Sequence, residues 1–211
     1  MLEVEYKGAN SVVISSKKAK IVTDPKLSLV GLKDASVKGM VELATEARFM
    51  IQSEDAVVVF EGPGEYGVAD FDIRGIAAQR HLDTENDPKI ATMYRIETGD
   101  FKVGVIGNIY EKLSEEQLEG LGVLDVLIIP VGGNGYTLDP AGAASIVRQV
   151  EPKIVVPIHY HDDALKYEVP QLELDLFIKE LGVAVEESAK LKLKNAGALP
   201  ASMTVCKLSR S

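Results

Sequence analysis

Apolar and polar positions follow one period in the first half of the chain and another in the second. Runs rich in β-branched residues at 2–6, 11–15 and 20–23 read as short strands, with turns at Asn10 and Lys17-Lys18. A strand is expected at 40–44, and the unbroken apolar run at 56–60 predicts a buried one. The segment Glu61-Gly62-Pro63-Gly64-Glu65-Tyr66-Gly67 is then expected to break any regular element. Further strands are predicted at 71–76, 92–97 and 102–106.

Beyond this point strands alternate with helices. Ser114-Glu115-Glu116-Gln117 is a capping-box pattern opening a short helix, with Gly122 as its stop. A buried strand follows at 123–131. Asp139-Pro140 supplies an N-cap and a first-turn proline for a helix through Val150. Another buried strand is predicted at 153–158. Pro170 precedes an amphipathic helix with Leu172, Leu176, Phe177 and Leu181 near one face. Short strands near 183–185, 190–193 and 203–208 complete the pattern. Strands first, then a β-α-β-α-β stretch, predict a layered α/β (α+β) domain. No repeat, linker or low-complexity segment divides the chain, so one domain over 1–211 is expected.

Composition narrows the function classes. The formal net charge is −9, and no Lys/Arg-rich run is present, which argues against a non-specific nucleic-acid binder. The lone cysteine, Cys206, allows no internal disulfide, which fits a reducing compartment, and its alternating context suggests a buried strand thiol. The opening residues Met1-Leu2-Glu3-Val4-Glu5 lack an apolar stretch of signal-peptide length, and no uncharged apolar run reaches membrane-spanning length. A cytoplasmic protein is expected. There is no Gly-x-Ser-x-Gly elbow, no Walker loop and no Rossmann fingerprint.

Three stretches carry a resemblance. They are Thr23-Asp24-Pro25, then Gly62-Pro63-Gly64-Glu65-Tyr66 with Gly75-Ile76, and finally Pro130-Val131-Gly132-Gly133, Tyr136-Thr137-Leu138-Asp139 and Pro157-Ile158-His159-Tyr160. In order and spacing, from about residue 10 to about residue 160, they resemble the metallo-β-lactamase superfamily, in particular its small branch of Zn-dependent hydrolases. The resemblance implies a four-layer αβ/βα sandwich with the active site at one edge between two sheets. It also implies a His-x-His-x-Asp-His ligand loop after an early strand, a His after the Gly-Glu-Tyr hairpin, an Asp after a strand-ending Gly, and a last His. Zinc takes imidazole nitrogens and carboxylate oxygens at about 2 Å. Two metals about 3.5–4 Å apart acidify a bound water and hold the developing oxyanion.

On this chain the ligand loop falls on Thr45-Glu46-Ala47-Arg48-Phe49-Met50, so its ligand positions read Thr45, Ala47, Phe49 and Met50. None is a good zinc ligand, and two are large and apolar. His81 resembles the next ligand, Asn108 stands for the bridging Asp without its charge, and His159 matches the last His. His81 is a ligand candidate or an exposed loop histidine among Arg80, Asp83, Glu85 and Asp87. His159 and His161 would share one face of a strand and could hold a metal with Asp162 or Asp163, or else form a polar loop edge. Asp24 reads as a carboxylate that orients a ligand loop. Asp24, Thr45, Glu65 and Asn108 are the candidate pocket groups. The glycine-rich run Gly132-Gly133-Asn134-Gly135 could hold an anion or simply join a strand to a helix; in the anion case Arg48 and Arg80 are the cations to hand.

The reading that follows is a protein of this fold that lacks the dinuclear site and binds rather than hydrolyses. No cofactor is expected. The alternative is a lactone or phosphoester hydrolase with one zinc or other divalent cation rebuilt on His81 and His159. A small molecule or a protein is the expected partner, with no nucleic acid and no membrane, and a homo-oligomer is compatible with the sequence.

Overall fold

A computed structural model describes residues 1–84 and 86–211. Glu85, grouped above with the polar surroundings of His81, lies outside the described residues.

The described residues form two sheets. The first half gives β1 (Leu2–Gly8), β2 (Ser11–Ser15), β3 (Lys20–Thr23), β4 (Val41–Ala44) and β5 (Val58–Glu61). The hairpin strands β6 (Gly64–Val68) and β7 (Phe71–Ala78) and the pair β8 (Ala91–Thr98) and β9 (Phe101–Val105) follow. The second half gives α1 (Glu115–Leu121), β10 (Val126–Pro130), α2 (Pro140–Val150), β11 (Ile154–Ile158) and α3 (Leu174–Leu181), then β12 (Ala184–Ser188), β13 (Leu191–Leu193) and β14 (Thr204–Leu208). One sheet has the order β13-β1-β2-β3-β4-β5, and the other β12-β14-β11-β10-β9-β8-β7-β6.

The alternation in β1 puts Leu2, Val4 and Tyr6 on the buried face. There they join Ile14, Leu43, Tyr94, Ile96, Val105, Ile128 and Val156 in one core between the sheets. The central strands β10 and β11 are parallel and buried along their whole length, as expected where both faces are covered. Their outer face packs on α2 and α3 through Ala144, Ile146, Val147 and Phe177. The outer face of the first sheet is covered without an α-helix: Val13 and Val22 pack under Val37, Ala35 and Met40.

Local chemistry explains the helix ends. The Ser114 hydroxyl accepts from the Gln117 N–H while the Gln117 side chain accepts from the Ser114 N–H. Ser114→Ala is therefore expected to lower stability by about 1 kcal/mol, read as a shift of the urea midpoint with an unchanged slope. Asp139 caps α2 through the Gly142 N–H at 2.7 Å. Cys206 sits in β14, buried, and burial pushes its thiol up to about 11.

Four expectations need correction. The run at 56–60 forms an edge strand, half-buried rather than buried, and Val57 is exposed. The stretch from Gly64 is a strand and not a break. Gly75 faces Gly64 across the hairpin, where a methyl would lie 2.5 Å from the Gly62 carbonyl oxygen. The glycines thus serve close approach inside a sheet. The strand after α1 begins only at Val126, and Val123 is exposed. Helix α3 begins at Leu174 and buries Leu174, Phe177 and Leu181; Leu172 precedes it, its N–H donating to the Gly132 carbonyl, and Leu176 faces solvent. No helix among the described residues is long and apolar enough to cross a membrane.

Candidate functional site

Several turns meet at one end of the two sheets. Asp24 follows β3, Thr45 follows β4, Gly107-Asn108 follow β9, Gly132 follows β10, and His159 follows β11. All five leave the carboxyl ends of strands that run parallel to a neighbour, the usual place for a ligand in such sheets. Asn10, between β1 and β2, joins them through His159.

Asp24 anchors the turn after β4. Its backbone is left-handed (φ 44°), and its carboxylate accepts from the Thr45 N–H at 2.7 Å and the Thr45 hydroxyl at 2.6 Å. Burial raises the Asp24 pKa to about 7, against the pull of those two bonds. Gly107 closes the other side: a methyl there would lie 2.6 Å from the Thr45 Cβ. Asn108 is buried beside it, with both side-chain polar atoms unpartnered among the described residues.

His159 is held from several directions. Its backbone is left-handed (φ 51°), and its N–H donates to the Ala9 carbonyl. Its Nδ1 lies 2.7 Å from Asn10 Oδ1, which places the ring proton on Nδ1. The ring stacks on Tyr167 at 4.8 Å between centroids and is 3% exposed. Its Nε2 has no partner among the described residues. Burial, with the nearby Arg48 charge, pushes its pKa down to about 3, so the imidazole is neutral.

The window at 45–50 lies against this histidine. Arg48 and Phe49 line a cavity of about 130 Å³ together with Asn10, Asp24, His159 and Gln171. Glu46 is buried and pairs with Arg48 Nε at 3.1 Å; burial raises its carboxyl pKa and Arg48 opposes that. Arg48 also donates to the Tyr136 hydroxyl and sits over the Phe49 and Tyr136 rings at 4.6 and 5.0 Å.

A model of the beta-lactamase superfamily domain matches residues 3–159. The chain belongs to the metallo-β-lactamase superfamily. A UPF0173 metal-dependent hydrolase from Thermus thermophilus is 26% identical over 193 residues, covering 76% of this chain and 84% of its own. Among solved structures, a candidate Zn-dependent hydrolase of the superfamily from Thermotoga maritima aligns with TM-score 0.79 at 23% identity, over 99% of each chain. A metallo hydrolase from Ignicoccus hospitalis aligns with TM-score 0.63 at 17% identity, over 86% of this chain and 90% of its own. At those identities the two structures speak for the fold.

A superfamily metal pair would need several anionic or imidazole ligands around one point. His159 meets part of that need: its Nε2 lone pair is unpartnered and its Nδ1 is tied to Asn10, the arrangement that orients a ligating imidazole. The rest of the set does not follow. Ala47 is exposed, Met50 is buried, and Phe49 and the Arg48 cation occupy the cavity wall. Among the described residues no three His, Cys, Asp or Glu side chains group as a ligand set. The residues present do not fit a superfamily metal pair.

Other candidates fall elsewhere. The His81 N–H donates to the Asn108 carbonyl, and Nδ1 lies 3.2 Å from the Ile109 carbonyl, so that nitrogen is engaged with backbone; the ring is not among the groups lining the cavity. The shared face expected for His159 and His161 does not form, because β11 ends at Ile158 and the chain turns left-handed at His159. His161 lies at the surface, 3.1 Å from Asp163, and Asp162 pairs with Arg210. Glu65 is not a pocket group with Asp24 and Thr45. It is exposed on β6 opposite Arg74, in a separate groove of about 550 Å³ with Arg95 and Glu97. In the glycine-rich loop the Gly133 N–H donates to the Leu138 carbonyl and the Tyr136 N–H to the Gly133 carbonyl, so it serves as a strand-to-helix connection. Tyr167 and Gln171 line the cavity from the stretch between β11 and α3, where no spacing or motif marks them.

Proposed function

We propose that this chain belongs to a metal-dependent hydrolase family but binds a small molecule in the cavity beside His159 without a dinuclear metal site, and does not hydrolyse it. The observation that carries this reading is Arg48. Its guanidinium, fixed by Glu46 and Tyr136, lines the same cavity as His159. A fixed cation there repels a second cation and attracts an anion. The neutral Asn108 removes the charge that a bridging Asp would contribute. The superfamily name of the relatives speaks for an ancestral metal chemistry, and the neutral imidazole of His159 is what this chain keeps of it.

The test is hydrolysis of a lactone and of a phosphodiester by the full chain, with added zinc and with a chelator. No turnover above background in either condition is expected. Turnover that appears with zinc, disappears with chelator and is lost in His159→Ala would replace this reading with a one-metal hydrolase.

A further inference from the structure

The lining of the cavity also indicates what chemistry it takes. Lys26 and Arg48 are its cations. Lys26 has no ion-pair partner among the described residues. Of the five N–H groups on Arg48, Glu46 takes one on Nη2 at 3.3 Å and Tyr136 one on Nη1, while the second Glu46 oxygen lies 3.1 Å from Nε. One N–H on each terminal nitrogen remains to meet an anion such as a carboxylate.

The histidine adds an acceptor. With the proton on Nδ1, the unpartnered Nε2 of His159 calls for a hydroxyl or N–H donor, and a carboxylate oxygen cannot supply one. The remaining wall is apolar, from Leu27, Leu29, Val30 and Phe49, and Leu29 is 46% exposed at its rim. Glu168 and Asp24 are the acidic lining groups, so a multiply charged anion would face repulsion as well as attraction.

We propose that this cavity binds a small monocarboxylic acid carrying a hydroxyl or amino group next to the carboxylate and a short apolar tail. Arg48 and Lys26 hold the carboxylate, His159 Nε2 accepts from the hydroxyl or amino group, and Leu27, Leu29, Val30 and Phe49 surround the tail. This rests on reading the site as a metal-free binding cavity.

Calorimetric titration of the chelator-treated full chain tests it with four probes: leucine, its 2-hydroxy analogue, 4-methylpentanoate and 4-methylpentanamide. At least one of the first two is expected to bind about tenfold or more tightly than 4-methylpentanoate, and the uncharged amide more weakly still. Arg48→Gln is made together with Glu46→Gln, so that no buried carboxylate loses its partner, and the pair is expected to weaken acid binding about tenfold or more. Failure of all four probes to bind metal-free protein, or equal binding of amide and acid, overturns the ligand class and leaves the proposed function standing. Binding that appears only after zinc is added overturns both.

Discussion

Asp24→Asn is expected to stabilise the protein at pH 8 by up to roughly 4 kcal/mol and to leave it unchanged near pH 4. Asparagine keeps both contacts of the native carboxylate: its Oδ1 can accept from the Thr45 N–H and its amide can donate to the Thr45 hydroxyl, the two groups that now bond Asp24 at 2.7 and 2.6 Å. What it removes is a buried charge. Asp24 titrates near 7 when folded and near 4 when unfolded, so between those values the folded chain holds a proton that the unfolded chain has lost. That contribution is present in full below pH 4 and is lost as the pH rises to 7. His159 has the opposite sign. Its folded pKa, about 3, lies below its unfolded value near 6.5, so its contribution is present above 6.5 and is lost as the pH falls towards 3. Between pH 4 and 6.5 the two slopes oppose each other in the native protein. In Asp24→Asn the His159 slope is no longer opposed by Asp24 and removes about 3 kcal/mol as the pH falls through that window. Urea unfolding at pH 4.5, 6 and 8 reads the difference between the two proteins. A difference independent of pH would refute the buried-charge account.

Gly132→Ala is expected to cost about 3 kcal/mol or more, or to prevent folding. A methyl at this position overlaps the His159 carbonyl oxygen and the Gln171 side-chain oxygen. The His159 carbonyl is backbone and does not yield easily, because the Val131 N–H donates to the Ile158 carbonyl and the Leu172 N–H to the Gly132 carbonyl on either side of the contact. Relief requires moving the end of β11, and His159 with it. Gly67→Ala is the control: its methyl meets only Asp72 Oδ1, at 4.0 Å, and a change within about 1 kcal/mol is expected. Thermal and urea unfolding of both variants decide the matter, and equal stabilities would show that the tight approach at Gly132 carries no energetic weight.

The fold was legible wherever one local rule governed an element. The alternation at 2–6 and 11–15 and the caps at Ser114 and Asp139 depend on neighbours a few residues away, and the structure places those elements as expected. Strand β6 was hidden because Gly62-Pro63-Gly64 has the composition of a turn, while its glycines serve a cross-strand contact with Gly75. Helix α3 began later than its pattern suggested because Leu172 is held by the Gly132 carbonyl, a partner distant in sequence. At the site, the stretch 45–50 could be set beside a metal-ligand loop through a resemblance alone. The separation of His161 from His159 turns on one left-handed backbone angle at a non-glycine residue, which sequence does not encode locally. Tyr167 and Gln171 reach the cavity through loop packing, and Arg48 gains its meaning only from Glu46, Tyr136 and His159 around it.

The central claim concerns donors: the turn from Thr45 to Met50, Asn108 and His159 do not make a site for two cations. Elemental analysis of protein purified without chelator and equilibrated with zinc tests it most directly. Well below one tightly held metal per chain is the result expected. Two metals per chain, resistant to gel filtration and lost in His159→Ala, would contradict it.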